Sequence, residues 1–298
     1  LTARVTVNRF WYLLFGRGIV KTVEDFGSQG SYPTHPALLD WLATDFVKHG
    51  WDVKRTMRQM VLSETYQQAA GGDTRRFKMD PGNAQLARGP RYRMSAEILR
   101  DVALQASGLL VDDIGGPSVK PYQPPGIWNA VSINRGLRFR QDTGEKLYRR
   151  SLYIYWKRSA PPPSMRIFDA PTRERCVMRR ARTNTPLQAL VTLNDPQFLE
   201  AARFLAQRMI QNADSLPARI AYAYELVMSR PPEPWEVALF KDSLAPMITK
   251  YRADSASAKA MLSVGEAKRD PAIDAAEHAA WMVIASMILN TDEALTKG

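Results

Sequence analysis

The sequence predicts a mainly α-helical fold, a helical bundle with a central irregular, partly β, basic excursion. Over most of the chain, apolar residues recur three and four positions apart, as they do on the buried face of a helix. Between about residues 115 and 183 this period disappears, and eight prolines and one short aromatic run replace it. We therefore expect an N-terminal helical lobe (1–116), a Pro-rich basic segment with a short strand region (117–182) and a C-terminal helical lobe (183–298), together forming one compact domain.

In the N-terminal lobe, capping residues mark the helix boundaries. A first helix is expected over Thr2–Leu14, and Thr34 is expected to cap a second one that the chain enters at Pro36. Asp52 and Ser95 have the residue type that caps the next two helices. All four helices have apolar residues on one face, and the second and third, joined by a short turn at Gly50 to Asp52, are expected to form a helical hairpin.

The later elements follow from the same signals. Ser151–Trp156 is rich in β-branched and aromatic residues and predicts a strand. Beyond it, helices are expected where a capping residue precedes proline, at Thr185-Pro186, Asp195-Pro196 and Asp270-Pro271, and also from Pro234. In the helix that Asp195 opens, the apolar residues are expected to face the core, while Glu200, Arg203 and Gln207 are expected to face solvent.

Charge is concentrated in one part of the chain. The 298 residues carry a formal net charge of +11, and residues 131–182 alone hold 14 Lys or Arg against 4 Asp or Glu. The other basic and acidic residues nearly cancel. Such a concentration predicts a local positive surface or a partner of opposite charge.

The sequence lacks the residues that several common kinds of site require. Cys176 is the single cysteine, so neither an internal disulfide nor a Cys-rich zinc site can form, and the haem-attachment pattern C-x-x-C-H is absent. The three histidines do not have the spacing of a zinc-hydrolase helix, and we predict no metal site. The longest apolar stretch, Ala279 to Leu289, is too short for a membrane span.

An arginine cluster before a helix start is the clearest candidate site. Guanidinium groups bind carboxylate, sulfate or phosphate through paired donors, and a helix N-terminus adds backbone N–H groups. The predicted anion-binding residues are Arg173, Arg175, Arg179, Arg180, Arg182 and Asn184. Alternatively, these arginines hold backbone carbonyls of the irregular segment or pair with carboxylates such as Asp169 and Asp195.

A second hypothesis places a polar pocket elsewhere in the fold. Asp25, Asn194 and Asp195 lie in polar loops or at helix starts, and their convergence with Asn184 and Arg182 would create a pocket with the polar groups of an active site. Their dispersal over helix caps would instead favour a module that binds without catalysing.

Several phrases, taken in order, resemble one family over the full length of the chain. The phrases are Val7-Asn-Arg-Phe-Trp-Tyr-Leu-Leu-Phe-Gly-Arg-Gly-Ile-Val, Asp25-Phe-Gly-Ser-Gln-Gly, His35-Pro-Ala-Leu-Leu-Asp-Trp-Leu, Arg149-Arg-Ser-Leu-Tyr, Arg182-Thr-Asn-Thr-Pro-Leu-Gln-Ala-Leu, Leu193-Asn-Asp-Pro-Gln-Phe and Leu289-Asn-Thr-Asp-Glu. Together they resemble the C-terminal domain of unknown function found in planctomycete-type, cytochrome c-associated proteins. The resemblance implies an exported or periplasmic protein whose signal lies outside this chain, with upstream domains of the same polypeptide as partners. It implies c-type haem only in those upstream domains and no cofactor in this chain.

These observations favour an accessory or interaction module that binds an anionic polymer, such as an anionic polysaccharide, or an acidic partner domain through its basic segment. An unrecognised enzyme acting on sulfated carbohydrate is the alternative, so enzymatic activity is left open with the balance against it. Nucleic-acid binding, which basic and aromatic residues together would permit, ranks third because the resemblance implies export.

Overall fold

The computed structural model describes residues 1–71, 74–132 and 138–298, and it divides them into two compact units. Unit 1 comprises Leu1–Arg93, Cys176–Ala181 and Thr296–Gly298, and unit 2 comprises Met94–Arg175 and Arg182–Leu295. The chain is 54% helical, and its one sheet among the described residues has two short strands, so the mainly α fold is confirmed. The units separate after residues 93, 175, 181 and 295. The three-part division with boundaries at 116 and 182 stays a prediction.

Unit 1 contains five helices among its described residues. They are α1 (Thr2–Phe15), α2 (Pro36–Lys48), α3 (Val53–Val61), α4 (Glu64–Gln67) and α5 (Thr74–Met79). Strand β1 (Tyr92–Arg93) pairs antiparallel with β2 (Thr296–Lys297). Residues 296–298 belong to unit 1 together with β1.

Unit 2 is built from nine further helices among its described residues. They are α6 (Ala96–Ser107), α7 (Ile127–Ala130), α8 (Pro163–Ile167), α9 (Pro186–Asn194), α10 (Pro196–Asn212), α11 (Leu216–Met228), α12 (Pro234–Ala253), α13 (Ser255–Leu262) and α14 (Ala275–Leu289). Two 3₁₀ turns, Gly144–Tyr148 and Ser151–Tyr153, lie in the irregular segment between α7 and α8. No helix among the residues described is long and apolar enough to cross a bilayer.

The core of unit 1 depends on a buried amide. Trp11 and Phe15 of α1 stack with their ring centroids 3.9 Å apart and pack in one cluster with Leu42 and Phe46 of α2. The Asn8 side chain is fully buried, and it both donates to and accepts from the backbone of Val20. Gly18 lies against these two hydrogen bonds. A Cβ on Gly18 would lie 2.4 Å from the carbonyl oxygen of Val20, so no larger residue fits there.

In unit 2 the core surrounds α14. Ala279 and Ala280 of this helix are fully buried, as are Ala201 and Ala202 of α10, so two backbones approach through small side chains. Larger residues such as Met282 and Ile284 fill the remaining space on other faces of α14. A helix buried on every side must be apolar all round, and this explains the Ala279–Leu289 stretch without a membrane.

Several helix starts expected from the sequence are confirmed and others are wrong. Asp52 and Asp195 accept hydrogen bonds from Arg55 N and Gln197 N, as capping residues do. The cap residue of α2, however, is His35 rather than Thr34, whose hydroxyl donates instead to the carbonyl of Ile19. The last helix begins behind Asp274 rather than at Asp270-Pro271, because Asp270 Oδ1 accepts from Ala272 N in a turn.

The strand expected over Ser151–Trp156 does not form as a regular strand. Ser151–Tyr153 is a 3₁₀ turn, and Ile154 alone makes an isolated parallel bridge with Val119. The reason lies in the side chain of Asp101, whose Oδ1 accepts from both the backbone N (2.8 Å) and the hydroxyl (2.7 Å) of Ser151. These bonds hold the start of the run in a turn on α6.

Arg100 lies beside Asp101 and fixes the same turn from inside the protein. Its side chain is 3% exposed, and it donates to the carbonyls of Leu147 (2.6 Å) and Arg149 (2.7 Å) and to the side chain of Gln197. Burial lowers the pKa of the Arg100 guanidinium to about 10, so the group stays charged at neutral pH. A buried cation therefore holds two carbonyls of the irregular segment onto α6.

We expect Arg100→Met to be strongly destabilising. It leaves the carbonyls of Leu147 and Arg149 without this donor, and each buried acceptor left unsatisfied costs about 1 to 3 kcal/mol. Thermal melting followed by circular dichroism measures the loss. Arg252→Met, which removes an exposed arginine of α12, is the matched control and should melt like the wild type. Equal melting of both variants would mean that Arg100 does not hold the segment.

His278 is a second buried polar group, located on α14. Its Nε2 lies 2.9 Å from the carbonyl oxygen of Arg203, and its Nδ1 has no hydrogen-bond partner. Burial lowers the pKa of His278 below its ordinary value of about 6.5, and the nearby Arg269 and Arg203 add to this shift. The neutral imidazole, protonated on Nε2, is thus the form that fits the fold.

The free energy of unfolding should therefore decrease in mild acid. Because the unfolded state binds the His278 proton more readily than the folded state, stability falls as the pH drops below about 6.5. Denaturant unfolding between pH 7.5 and 5 checks this against His278→Gln, whose amide can also donate to Arg203. The variant should show the weaker pH dependence, and identical slopes would rule out His278 as the source.

Candidate functional site

The predicted anion-binding arginines are distributed over both units. Arg173, Arg175, Arg182 and Asn184 belong to unit 2, whereas Arg179 and Arg180 belong to unit 1. Arg179 forms an exposed ion pair with Glu24, with Nη2 and Oε1 3.3 Å apart. Asn184 is exposed just before α9. Each unit thus contributes basic side chains, and their joint action on one anion remains a prediction.

The two carboxylates that could have held these arginines have backbone partners. Asp169 Oδ2 accepts from the backbone N (2.7 Å) and the hydroxyl (2.8 Å) of Thr183. Asp195 Oδ1 accepts from Gln197 N at 2.9 Å, and desolvation raises the pKa of the Asp195 carboxyl. Both acids therefore organise the chain around α9.

The residues of the predicted polar pocket likewise make local hydrogen bonds. Asp25 lies in unit 1, where its Oδ1 accepts from Gly27 N at 2.7 Å. Asn194 and Asp195 lie in unit 2 at the junction of α9 and α10, and Asn194 Nδ2 donates to the carbonyl of Leu190. These contacts are those of turns and helix ends, and convergence on one pocket stays a prediction.

A different set of side chains forms the most distinctive surface of unit 2. Trp128 makes an edge contact with Phe139, with ring centroids 5.4 Å apart, and a tilted contact with Tyr155 at 5.7 Å. Two ammonium groups lie over these rings, since Lys157 Nζ is 5.4 Å from the Trp128 ring and Lys120 Nζ is 5.4 Å from the Tyr155 ring. We call these five residues the aromatic–lysine cluster.

Next to this cluster lies a second pair of the same kind. The Arg173 guanidinium lies 4.6 Å from the ring centroid of Trp156, and Trp156 Nε1 donates to the carbonyl of Thr172. An open depression of about 720 Å³ adjoins both groups, and it is lined by Tyr155, Trp156, Lys157, Arg158, Ser159 and Glu174. Arg173 is the predicted anion-binding residue that the structure places at this surface.

Backbone pairing explains how the cluster residues come to the surface. Val119 N donates to Tyr153 O, and Tyr155 N donates to Val119 O, both at 2.8 Å, so this short stretch is extended. In an extended chain successive side chains point in opposite directions. Ile154 therefore enters the core while Tyr155 is 40% exposed.

Inside the unit, the irregular segment is tied to α10 by a buried carboxylate. Glu200 is 1% exposed and accepts from the hydroxyls of Tyr122 (3.0 Å) and Tyr148 (3.1 Å), from Ala267 N (2.7 Å) and from Arg203 Nη2 (3.3 Å). Glu200 and Arg203 were expected at the solvent face of their helix, and that expectation is wrong. The helical period had assigned charged residues outward, but their partners come from other segments.

Titration of this network follows from its burial. Burial and the neighbouring Glu200 charge raise the pKa of Tyr148 to about 12 and raise that of Tyr122 further. Both hydroxyls therefore keep their protons at neutral pH and donate hydrogen bonds to the Glu200 carboxylate. Close packing around Glu200 leaves no space at Gly265, where a Cβ would lie 2.3 Å from the carboxylate.

Arg149 completes the support on the other side of the segment. It is 7% exposed, donates to the carbonyls of Pro117, Asp113 and Gly115, and stacks on the Tyr153 ring at 4.0 Å. The arginines of the Arg149-Arg-Ser-Leu-Tyr phrase thus differ in role, since Arg149 is internal and Arg150 pairs with Asp112 at the surface. Among the residues described, no three His, Cys, Asp or Glu side chains group as metal ligands.

The chain is mainly helical, and in unit 2 an irregular basic segment is fixed to the helices with Tyr155 and Arg173 exposed on it. The model of the PSD1 family, described as a protein of unknown function (DUF1553), matches residues 1–244. The chain belongs to this family, and the resemblance to a C-terminal domain of unknown function in planctomycete-type proteins is confirmed. No curated protein and no solved structure matches the chain.

Tyr148→Phe should destabilise the protein while leaving its shape intact. The change removes one donor from a buried carboxylate, and a hydrogen bond to a charged group is worth about 2 kcal/mol. Chemical unfolding of the variant measures the loss. Tyr222→Phe removes a hydroxyl from α11, outside this network, and serves as the control. A Tyr148 variant as stable as that control would show that Glu200 does not need this donor.

Proposed function

We propose that this chain is an accessory or interaction module of an exported multidomain protein, and that it binds an anionic polymer through its basic segment. The polymer is an anionic polysaccharide or an acidic stretch of a partner domain. The observation that carries the proposal is the aromatic–lysine cluster with the adjoining Trp156–Arg173 pair. Export, a periplasmic location and upstream domains as partners belong to the same proposal and are supported by family resemblance alone.

The chemistry of the cluster suits a polymer of sugar rings that carry negatively charged groups. Aromatic faces pack against the C–H faces of sugar rings, while ammonium and guanidinium groups attract sulfate or carboxylate. Tyr155 combines these features, because its ring is 40% exposed and has the Lys120 ammonium over it. A ligand that displaces solvent from Tyr155 gains stacking on the ring and attraction to the Lys120 ammonium at the same place.

The shape of the surface favours a polymer over a small molecule. Small-molecule sites enclose most of their ligand, whereas the depression beside Tyr155 and Trp156 is open. On an open surface each contact is weak, and affinity comes from several contacts along one chain. Arg158, which lines the depression, and the exposed Arg173 provide such contacts beyond the cluster itself.

Retention on immobilised heparin, a sulfated polysaccharide, tests the proposal. We expect the chain to bind at low salt and to elute as the Debye length shortens toward about 8 Å at physiological ionic strength. Lys120→Gln combined with Lys157→Gln should elute at clearly lower salt than the wild type. Arg179→Gln, Arg180→Gln and Arg182→Gln, made together, test the predicted arginine site in the same way.

Lys241→Gln combined with Lys259→Gln is the matched control, because it removes the same charge from α12 and α13. If the control and the cluster variant elute together, net charge alone determines retention and the proposed site is wrong. Melting curves are measured for every variant. For the arginine triple variant, unchanged retention together with a large loss of stability would assign those residues to the internal framework.

A further inference from the structure

We infer that unit 1 carries a second binding site, a cleft for an uncharged oligosaccharide, which is independent of the basic surface in unit 2. The cleft is open to solvent, has a volume of about 520 Å³ and lies among the N-terminal ends of α1 and α2 and the loop between these helices. Tyr32 and the Arg4–Asp40 ion pair are among the residues that line it. These groups provide stacking and hydrogen bonding without net charge.

Tyr32 is the most exposed aromatic residue of the described chain, with 94% of its surface open to solvent. Pro33 follows it, and the residue before a proline is restricted to extended backbone. The backbone that carries the ring is thus restricted before any ligand arrives. An exposed ring whose backbone is already restricted can stack on a ligand at a low entropic cost.

The loop that carries Tyr32 is held by its own hydrogen bonds. Thr22 Oγ1 donates to Asp25 O at 2.7 Å and accepts from Ser31 N at 2.9 Å. Gly27 N and Gly30 N donate to Asp25 Oδ1 and Gly27 O. A Cβ on Gly30 would lie 2.4 Å from the carbonyl oxygen of Asp25, so glycine is required for this shape.

These bonds also indicate which ligand the cleft does not suit. An anion held by a glycine-rich loop needs free backbone N–H groups, and those of Gly27, Gly30 and Ser31 already donate within the loop. Among the described residues that line the cleft, the charged side chains of Arg4 and Asp40 compensate each other, with Nε and Oδ1 2.5 Å apart. An uncharged ligand is therefore favoured over a polyanion.

A sugar matches the groups that remain. Its hydroxyls both donate and accept, as needed beside a carboxylate, a guanidinium and the Ser28 and Ser31 hydroxyls that also line the cleft. Its C–H face packs on an aromatic ring such as that of Tyr32. Arg4 comes from α1 and Asp40 from α2, and these helices pack together, so the ion pair joins two packed helices beside the loop.

The test is calorimetric titration of the full chain with three uncharged hexasaccharides, of β-1,4-linked glucose, xylose and N-acetylglucosamine. It is done at about 1 M salt, where the Debye length is about 3 Å and binding to the basic surface is suppressed. We expect saturable binding of at least one hexasaccharide. Tyr32→Ala should weaken it about tenfold, a loss in the range of one base–aromatic stack, while Tyr32→Phe, which keeps the ring, should stay near wild type.

Trp41→Ala is the matched control, because Trp41 is 53% exposed on α2 and does not line the cleft. It should bind like the wild type. The inference is overturned if none of the three hexasaccharides binds saturably, or if Tyr32→Ala and Trp41→Ala bind equally. Since the heparin experiment measures a salt-sensitive interaction and this one is done at high salt, either proposal can fail without the other.

Discussion

The burial of the Glu200 carboxylate is the constraint on which the irregular half of unit 2 depends. A carboxylate removed from water is costly unless hydrogen-bond donors replace the water that it loses. Only Arg203 among its four donors lies on the same helix, so Tyr122, Tyr148 and Ala267 must be brought to α10 from elsewhere. The path of a segment without regular structure is thereby fixed by a charge in the helical core.

Arg100 applies the same principle with opposite sign. It is a buried cation that collects the carbonyl groups of Leu147 and Arg149, which a 3₁₀ turn and its flanks leave unpaired. With an anion on α10 and a cation on α6, the segment is fastened at Tyr148 and at the residues directly beside it. What remains free to face solvent, including Tyr155 and Lys157, is held in place by this internal framework.

The sequence predicted the elements whose signal is local. Asp52 and Asp195 cap helices as expected, because a short side chain reaches a backbone N–H two or three residues ahead. It did not predict the burial of Glu200 and Arg203, since helical period assigns a charged residue to the outside unless distant partners are known. The aromatic–lysine cluster was missed for the same reason, as Trp128 and Tyr155 are 27 positions apart and meet only through the fold. Of the predicted arginine site, the structure places Arg173 on an aromatic surface, whereas the convergence of the other members is a matter of tertiary structure that a local pattern does not encode.

Two surfaces with different physics follow from these two units. A cation over an aromatic ring at an open surface attracts ligands through forces that salt screens, so binding there depends on the ionic strength and on the number of contacts along a polymer. In unit 1, the compensated Arg4–Asp40 pair and the Tyr32 ring leave hydrogen bonding and stacking as the available forces, and these are far less sensitive to salt. Under the two proposals together, the chain holds one charged and one uncharged stretch of polymer by independent forces.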